Sequence, residues 1–85
     1  MSDETVQELV SRAVNQTFEK WAAEHPSLAA VIDRIRLTER AAESIRNSED
    51  YRKAVASFYR ARSETEFLGQ LLTLAGPIVR SLLAG

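Results

Sequence analysis

The stretch Phe67-Leu68-Gly69-Gln70-Leu71-Leu72-Thr73-Leu74-Ala75-Gly76-Pro77-Ile78-Val79-Arg80-Ser81-Leu82-Leu83 decides how this chain folds. Arg80 is its only charged residue. Leu68, Leu72, Ala75, Val79 and Leu82 recur in steps of three and four, which is helical spacing. A second stripe, Phe67, Leu71, Leu74 and Ile78, runs beside the first. Together they make an apolar arc wider than one neighbouring helix requires. A large aliphatic side chain is worth about 1.5–3 kcal/mol when fully buried, so this stretch commands an energy comparable with the whole stability of a small domain, about 5–15 kcal/mol. What covers it is therefore the main question the sequence raises.

Working outward, the remaining chain has little to cover it with. The chain has 85 residues, which reads as one helical domain, 1–85, with a thin core. Domains of this size often lean on disulfides, metals or a partner. No cysteine is present, and His25 is the single histidine. A protein-only zinc site would then rest on carboxylates, so no metal or other cofactor is expected. Association is the remaining form of help. The formal net charge of −1 gives no bulk attraction to nucleic acid or acidic membranes. Met1-Ser2-Asp3-Glu4 is acidic and lacks a signal peptide's basic and apolar regions. No run of 18 apolar residues occurs, so no transmembrane span is expected and the expected location is cytoplasmic.

Start and stop signals predict helices over about 3–25, 27–46 and 48–75, with a short one over 77–84. Ser2 or Asp3 caps the first, whose apolar face carries Val6, Leu9, Val10, Ala13, Val14, Phe18, Trp21 and Ala22. His25-Pro26 ends it, because the residue before proline avoids the α region. The second helix carries a heptad-like seam of Leu28, Val31, Ile35, Thr38, Ala42 and Ile45; Leu37, with Ala30 and Ala41, lies nearly opposite. Ser48 caps the third, with Glu49 and Asp50 in its first turn. Its stripe is Tyr51, Ala54, Phe58, Ala61, Thr65, Leu68, Leu72 and Ala75. Ser63-Glu64-Thr65-Glu66 fits a capping box, but the stripe keeps its phase through that point, which argues for one continuous helix. Gly76-Pro77 then kinks or stops it.

The expected architecture is all-α: a three-helix up-down-up antiparallel bundle or long helical hairpin, with a kinked apolar C-terminal extension at Gly76-Pro77. In such a hairpin Leu28 lies level with about Leu68, and Trp21 ends near the same level. Residues from Leu71 onward then overhang both neighbours by roughly 18 Å at 1.5 Å per residue. A wet surface of that kind promotes association. The candidate interface residues are Phe67, Leu68, Leu71, Leu72, Leu74, Ala75, Ile78, Val79, Leu82 and Leu83. The occupants weighed are a second copy, with a dimer favoured, a helical protein partner, or the chain itself folding back at Gly76-Pro77.

Catalysis finds no support. His25 reads as a helix-end residue, favourable near the negative end of the dipole. Acidic residues mostly have a basic residue three or four positions away, as in Glu8 with Arg12 or Arg62 with Glu66, which describes a solvated helix face. Basic residues outnumber acids between 34 and 62, and Arg52, Lys53 and Arg60 are candidate nucleic-acid contacts. No helix-turn-helix pattern accompanies them, and the acids dilute the field. Phe18, Trp21, Tyr51 and Phe58 read as core anchors. The sequence thus describes a non-enzymatic, self-associating assembly or adaptor subunit. The alternatives are a nucleic-acid-associated regulator and a small partner-dependent chaperone or secretion-type subunit.

Overall fold

A single serine and a single left-handed residue divide the expected third helix in two. In the computed structural model, which describes residues 3–84, Arg62 adopts φ 55° and ψ 32° and closes the helix before it, its N–H donating to the Phe58 carbonyl. The Ser63 hydroxyl then accepts from the Glu66 N–H at 3.3 Å, the serine half of the capping box. The chain consists of α1 (Asp3–Glu24), α2 (Pro26–Ala29), α3 (Arg34–Arg46), α4 (Glu49–Ala61) and α5 (Glu64–Ala84), with no strand among the described residues. The expected cap of α1, at Ser2 or the Asp3 side chain, lies outside what is described.

The break at Arg62-Ser63 reverses the chain. Phe58 and Phe67 stack with ring centroids 4.6 Å apart and planes 12° from parallel. On one continuous helix these residues would be separated by about 13 Å along the axis. Helix α5 therefore runs antiparallel to α4, and it packs against α1, α3 and α4. Phe67, Leu71, Ala75 and Val79 form its buried stripe, each at most 1% exposed.

This overturns the continuous helix over 48–75 and the overhang inferred from it. The apolar stretch is the element around which the others gather. Fold-back does occur, but at Arg62-Ser63 and not at Gly76-Pro77. Helix α5 passes through Pro77 to Ala84 without ending. The reason is positional. Pro77 and Thr73 lie on the exposed side, so the proline ring and the carbonyl it cannot pair with both face water. Ending the helix there would detach Val79 from the stripe.

The expected helix over 27–46 is also two elements. Helix α2 has only four residues, and Asp33 starts α3 by accepting the Arg36 N–H at 3.2 Å. Between them lie the β-branched Val31 and Ile32, which lose side-chain freedom in a helix. The restart rotates the helix face. Ala41, Ala42 and Ile45 are buried, and Leu37 packs against the core, whereas Leu28, Val31 and Ile35 drop out of the expected seam. Helix α3 is antiparallel to α1: Arg34 reaches Glu19, and Arg46 at the other end reaches Gln7.

Elsewhere the patterns hold in part: Ala61 and Thr65 of the expected third stripe are exposed, and Trp21 and Ala22 on α1 are half-buried. Val6, Leu9, Val10, Ala13, Val14 and Phe18 are all buried on α1. Ser48 caps α4 by accepting the Tyr51 N–H at 3.1 Å. No polar or charged residue is buried among those described.

A non-glycine residue in the left-handed region costs about 1–2 kcal/mol. Arg62→Gly should therefore raise stability by up to about 1 kcal/mol, and Ser63→Ala should lower it by about 1 kcal/mol. Urea unfolding followed by circular dichroism checks both; a destabilising Arg62→Gly would contradict the reversal described here.

Candidate interaction surface

Two helix stops within one short stretch create the most unusual surface of the molecule. His25-Pro26 closes α1, with the His25 N–H still donating to the Trp21 carbonyl at 2.9 Å. Pro26 opens α2 at a position where its missing N–H costs nothing. After one turn the chain bends, and Asp33 restarts it. Leu28, Val31 and Ile35 are left 55%, 78% and 77% exposed. Single exposed aliphatic residues are ordinary. Three on one short connection, in a chain with a thin core, are not.

Arg34 explains why Ile35 points outward. Its guanidinium donates to the Asn15 carbonyl at 3.3 Å and to Glu19 Oε1 at 3.2 Å, and it lies 5.9 Å from the centroid of the Phe18 ring. The stem of a long cationic side chain covers apolar surface while its head stays wet. The first turn of α3 is thus attached to α1 by a charged residue, and the aliphatic neighbour is turned to solvent. Ile32 is the one aliphatic residue of the bend that packs on the core.

The residues expected to form an interface on α5 divide into two groups. Phe67, Leu71, Ala75 and Val79 lie in the chain's own core; Leu68, Leu72, Leu74, Ile78, Leu82 and Leu83 are half-buried against it. By length and composition alone α5 could cross a bilayer, but one full stripe of it is engaged by the other helices.

The expected nucleic-acid contacts Arg52, Lys53 and Arg60 are exposed on α4. The charge pairs expected along the helices are not formed; Arg34 with Glu19 is the one ion pair among the described residues. Of the aromatic anchors, Phe18 and Phe58 are buried, while Tyr51 is half-buried and accepts a hydrogen bond from Gln7 Nε2 at 3.5 Å. Trp21 is half-buried, its ring centroid 5.4 Å from that of His25. It stands in a groove of about 660 Å³ between the second half of α1 and α5. Among the described residues no three His, Asp or Glu side chains gather as metal ligands do.

Comparison with protein-family models, with curated proteins and with solved structures finds no match for this chain. The exposed aliphatic trio is the feature that sequence periodicity misassigned. The signal for it was local: a β-branched pair, Val31-Ile32, followed by a capping aspartate.

The division between core and surface is measurable. Leu71→Ala should cost about 2–5 kcal/mol, as for other buried leucines. Ile35→Ala should change stability by no more than about 0.5 kcal/mol. Paired urea titrations distinguish them, and equal losses would mean that Ile35 belongs to the core.

Proposed function

We propose that the protein is a non-enzymatic helical subunit that acts by self-association, with the exposed trio Leu28, Val31 and Ile35 as the centre of its contact surface. The observation that supports this is their exposure beside an Arg34 that is held against α1. These side chains contribute little to the core, and their exposed apolar surface is available to whatever docks upon it.

A two-fold arrangement sets the trio against its own copy, the commonest geometry of homo-oligomers. Six side chains, each losing on pairing the 55–78% of its surface that is exposed, contribute on the order of 6–12 kcal/mol. Lost translational and rotational freedom opposes this by about 4–15 kcal/mol. The two terms are of the same order, so a dimer held by the trio is weak and reversible. The trio is smaller than the roughly 800 Å² per partner of a stable interface, which agrees with a weak association.

Sedimentation over a concentration series tests the proposal. The wild-type chain should move from monomer to dimer with a Kd of about 10 μM to 1 mM. Val31→Asp and Ile35→Asp should each remain monomeric and melt within a few degrees of wild type. Dimers that persist in both variants would place the contact elsewhere. A wild-type chain that stays monomeric up to millimolar concentration would overturn self-association.

A further inference from the structure

Helix α5 carries no charge along most of the side it shows to water. Between Phe67 and Val79 its exposed residues are Gly69, Thr73 and Pro77. The exposed faces of α1, α3 and α4 carry Glu, Arg and Lys, as the outer face of a helix in a soluble bundle does. On α5 charge stands only toward the two ends, with Glu64 and Glu66 in the first turn and Arg80 near the other end. Only 22% of its most apolar 18 residues are buried, whereas the core helix of a soluble protein is mostly buried. The fold uses Phe67, Leu71, Ala75 and Val79 in full and the flanking aliphatic residues in part. It gives no reason for the uncharged remainder.

Length supplies one. The helix has 21 residues, about 31 Å at 1.5 Å per residue, against about 30 Å for the hydrocarbon core of a bilayer. A helix that lies in the membrane plane keeps a charged face in water. Helix α5 has no such face between its ends, so lipid on all sides suits it better than lipid on one. Its polar groups fit that setting. The Thr73 hydroxyl donates to the Gly69 carbonyl at 3.0 Å and is satisfied within the helix. Gln70 and Arg80 lie toward opposite ends, where long side chains reach the headgroups. Gly69, Gly76 and Pro77, weak choices in a soluble helix, are more frequent in membrane helices.

Helix α4, which precedes it, has the composition of a helix that lies flat on a membrane. Ala54 and Phe58 are buried on one face with Tyr51 and Val55 half-buried beside them, and Arg52, Lys53 and Arg60 are exposed on the other. These three cations and Arg62 have no carboxylate within ion-pair distance among the described residues. Residues 51–63 contain no acid. An aromatic, apolar face under a basic one is the arrangement that docks on anionic headgroups. The joint between the two helices is the left-handed Arg62, so opening there leaves both helices whole. We propose that an anionic bilayer opens the bundle at Arg62-Ser63: α5 crosses the hydrocarbon core, and α4 lies along the headgroups, held by Arg52, Lys53, Arg60 and Arg62. The buried stripe of α5 then exchanges one apolar environment for another, and the apolar faces of α1 and α3 that packed on it turn to the membrane surface. This step is separate from the contact through Leu28, Val31 and Ile35 and does not depend on it.

The chain has no cysteine, so a single introduced cysteine carries a fluorescent label to a chosen place. Glu49→Cys and Ala84→Cys, both at exposed positions, mark the two far ends of the α4–α5 pair. Vesicles of phosphatidylcholine with about a quarter phosphatidylglycerol should bind the full chain at least about tenfold more tightly than phosphatidylcholine alone. On them the label at position 84 should be shielded from a reductant that is added outside and does not cross the membrane. The label at position 49 should remain reducible. Thr73→Arg, added to the Ala84→Cys chain, alters an exposed position, so the free bundle should melt within a few degrees of its parent. It should still bind the vesicles but leave position 84 reducible, because a charge at mid-span opposes crossing. Arg52→Gln/Lys53→Gln/Arg60→Gln, altered only at exposed side chains, should lose about tenfold or more in vesicle affinity. A chain that binds neither kind of vesicle would overturn the proposal. So would labels at 49 and 84 that are reduced alike, which describes a chain lying on the surface. Equal shielding with and without Thr73→Arg, or undiminished affinity in the triple variant, would overturn it as well.

Discussion

Everything in this fold depends on the reversal at Arg62-Ser63, because only that reversal brings Phe67 back onto Phe58. Once the two rings are stacked, Leu71, Ala75 and Val79 follow at four-residue intervals along the same face of α5, and α1 and α3 close around them. The cost is one residue held in the left-handed region without glycine's freedom. The return is a complete apolar stripe withdrawn from water. The balance between a local backbone penalty and a long-range hydrophobic gain favours the turn by a wide margin, since about 1–2 kcal/mol is set against several buried side chains.

Small residues shape the rest of the core. Ala13, Ala41, Ala42, Ala54 and Ala75 are all buried, at 0–7% exposure. Alanine at a contact lets helix axes come close, because interaxial distance is set by the side chains between them. Large residues then fill the spaces that remain: Phe18, Phe58, Phe67, Leu71 and Ile45. The Arg34 side chain lies over Phe18 and supplies a lid from outside the core. It is the point at which the interior stops and the exposed aliphatic bend begins.

Helical class and most of the core of α1 are legible in the sequence, because Val6 to Phe18 keep one phase and nothing interrupts them. The cap at Ser48 is legible for the same reason: a serine followed by two acids has a direct physical consequence at a helix start. What misleads is periodicity carried across a break. The stripe from Phe58 to Leu68 keeps its spacing through Arg62-Ser63 only in the sequence: Ala61 and Thr65, which carry it across the turn, are exposed, and Phe67 takes the buried place next after Phe58. A pattern along one axis cannot distinguish a straight helix from two that meet face to face. The seam from Leu28 to Ile45 fails in the opposite way. Its spacing is sound, but Asp33 restarts the helix with a different rotation, so Leu37 moves inward and Ile35 outward. The groove beside Trp21 is not legible at all, since it joins α1 to α5 across the chain. Gly76-Pro77 announced itself as an oddity, though as a helix stop, which it is not.

The wholly apolar character of the buried set among the described residues has a thermal consequence. With no buried polar side chain among the described residues to serve as a directional key, cohesion within the core comes from hydration and shape. Apolar burial weakens on cooling as well as on heating, because unfolding carries a large positive heat-capacity change. The folded state of this chain therefore occupies a window of temperature bounded on both sides, and its identity within that window is set by how volumes interlock and not by which atoms must pair.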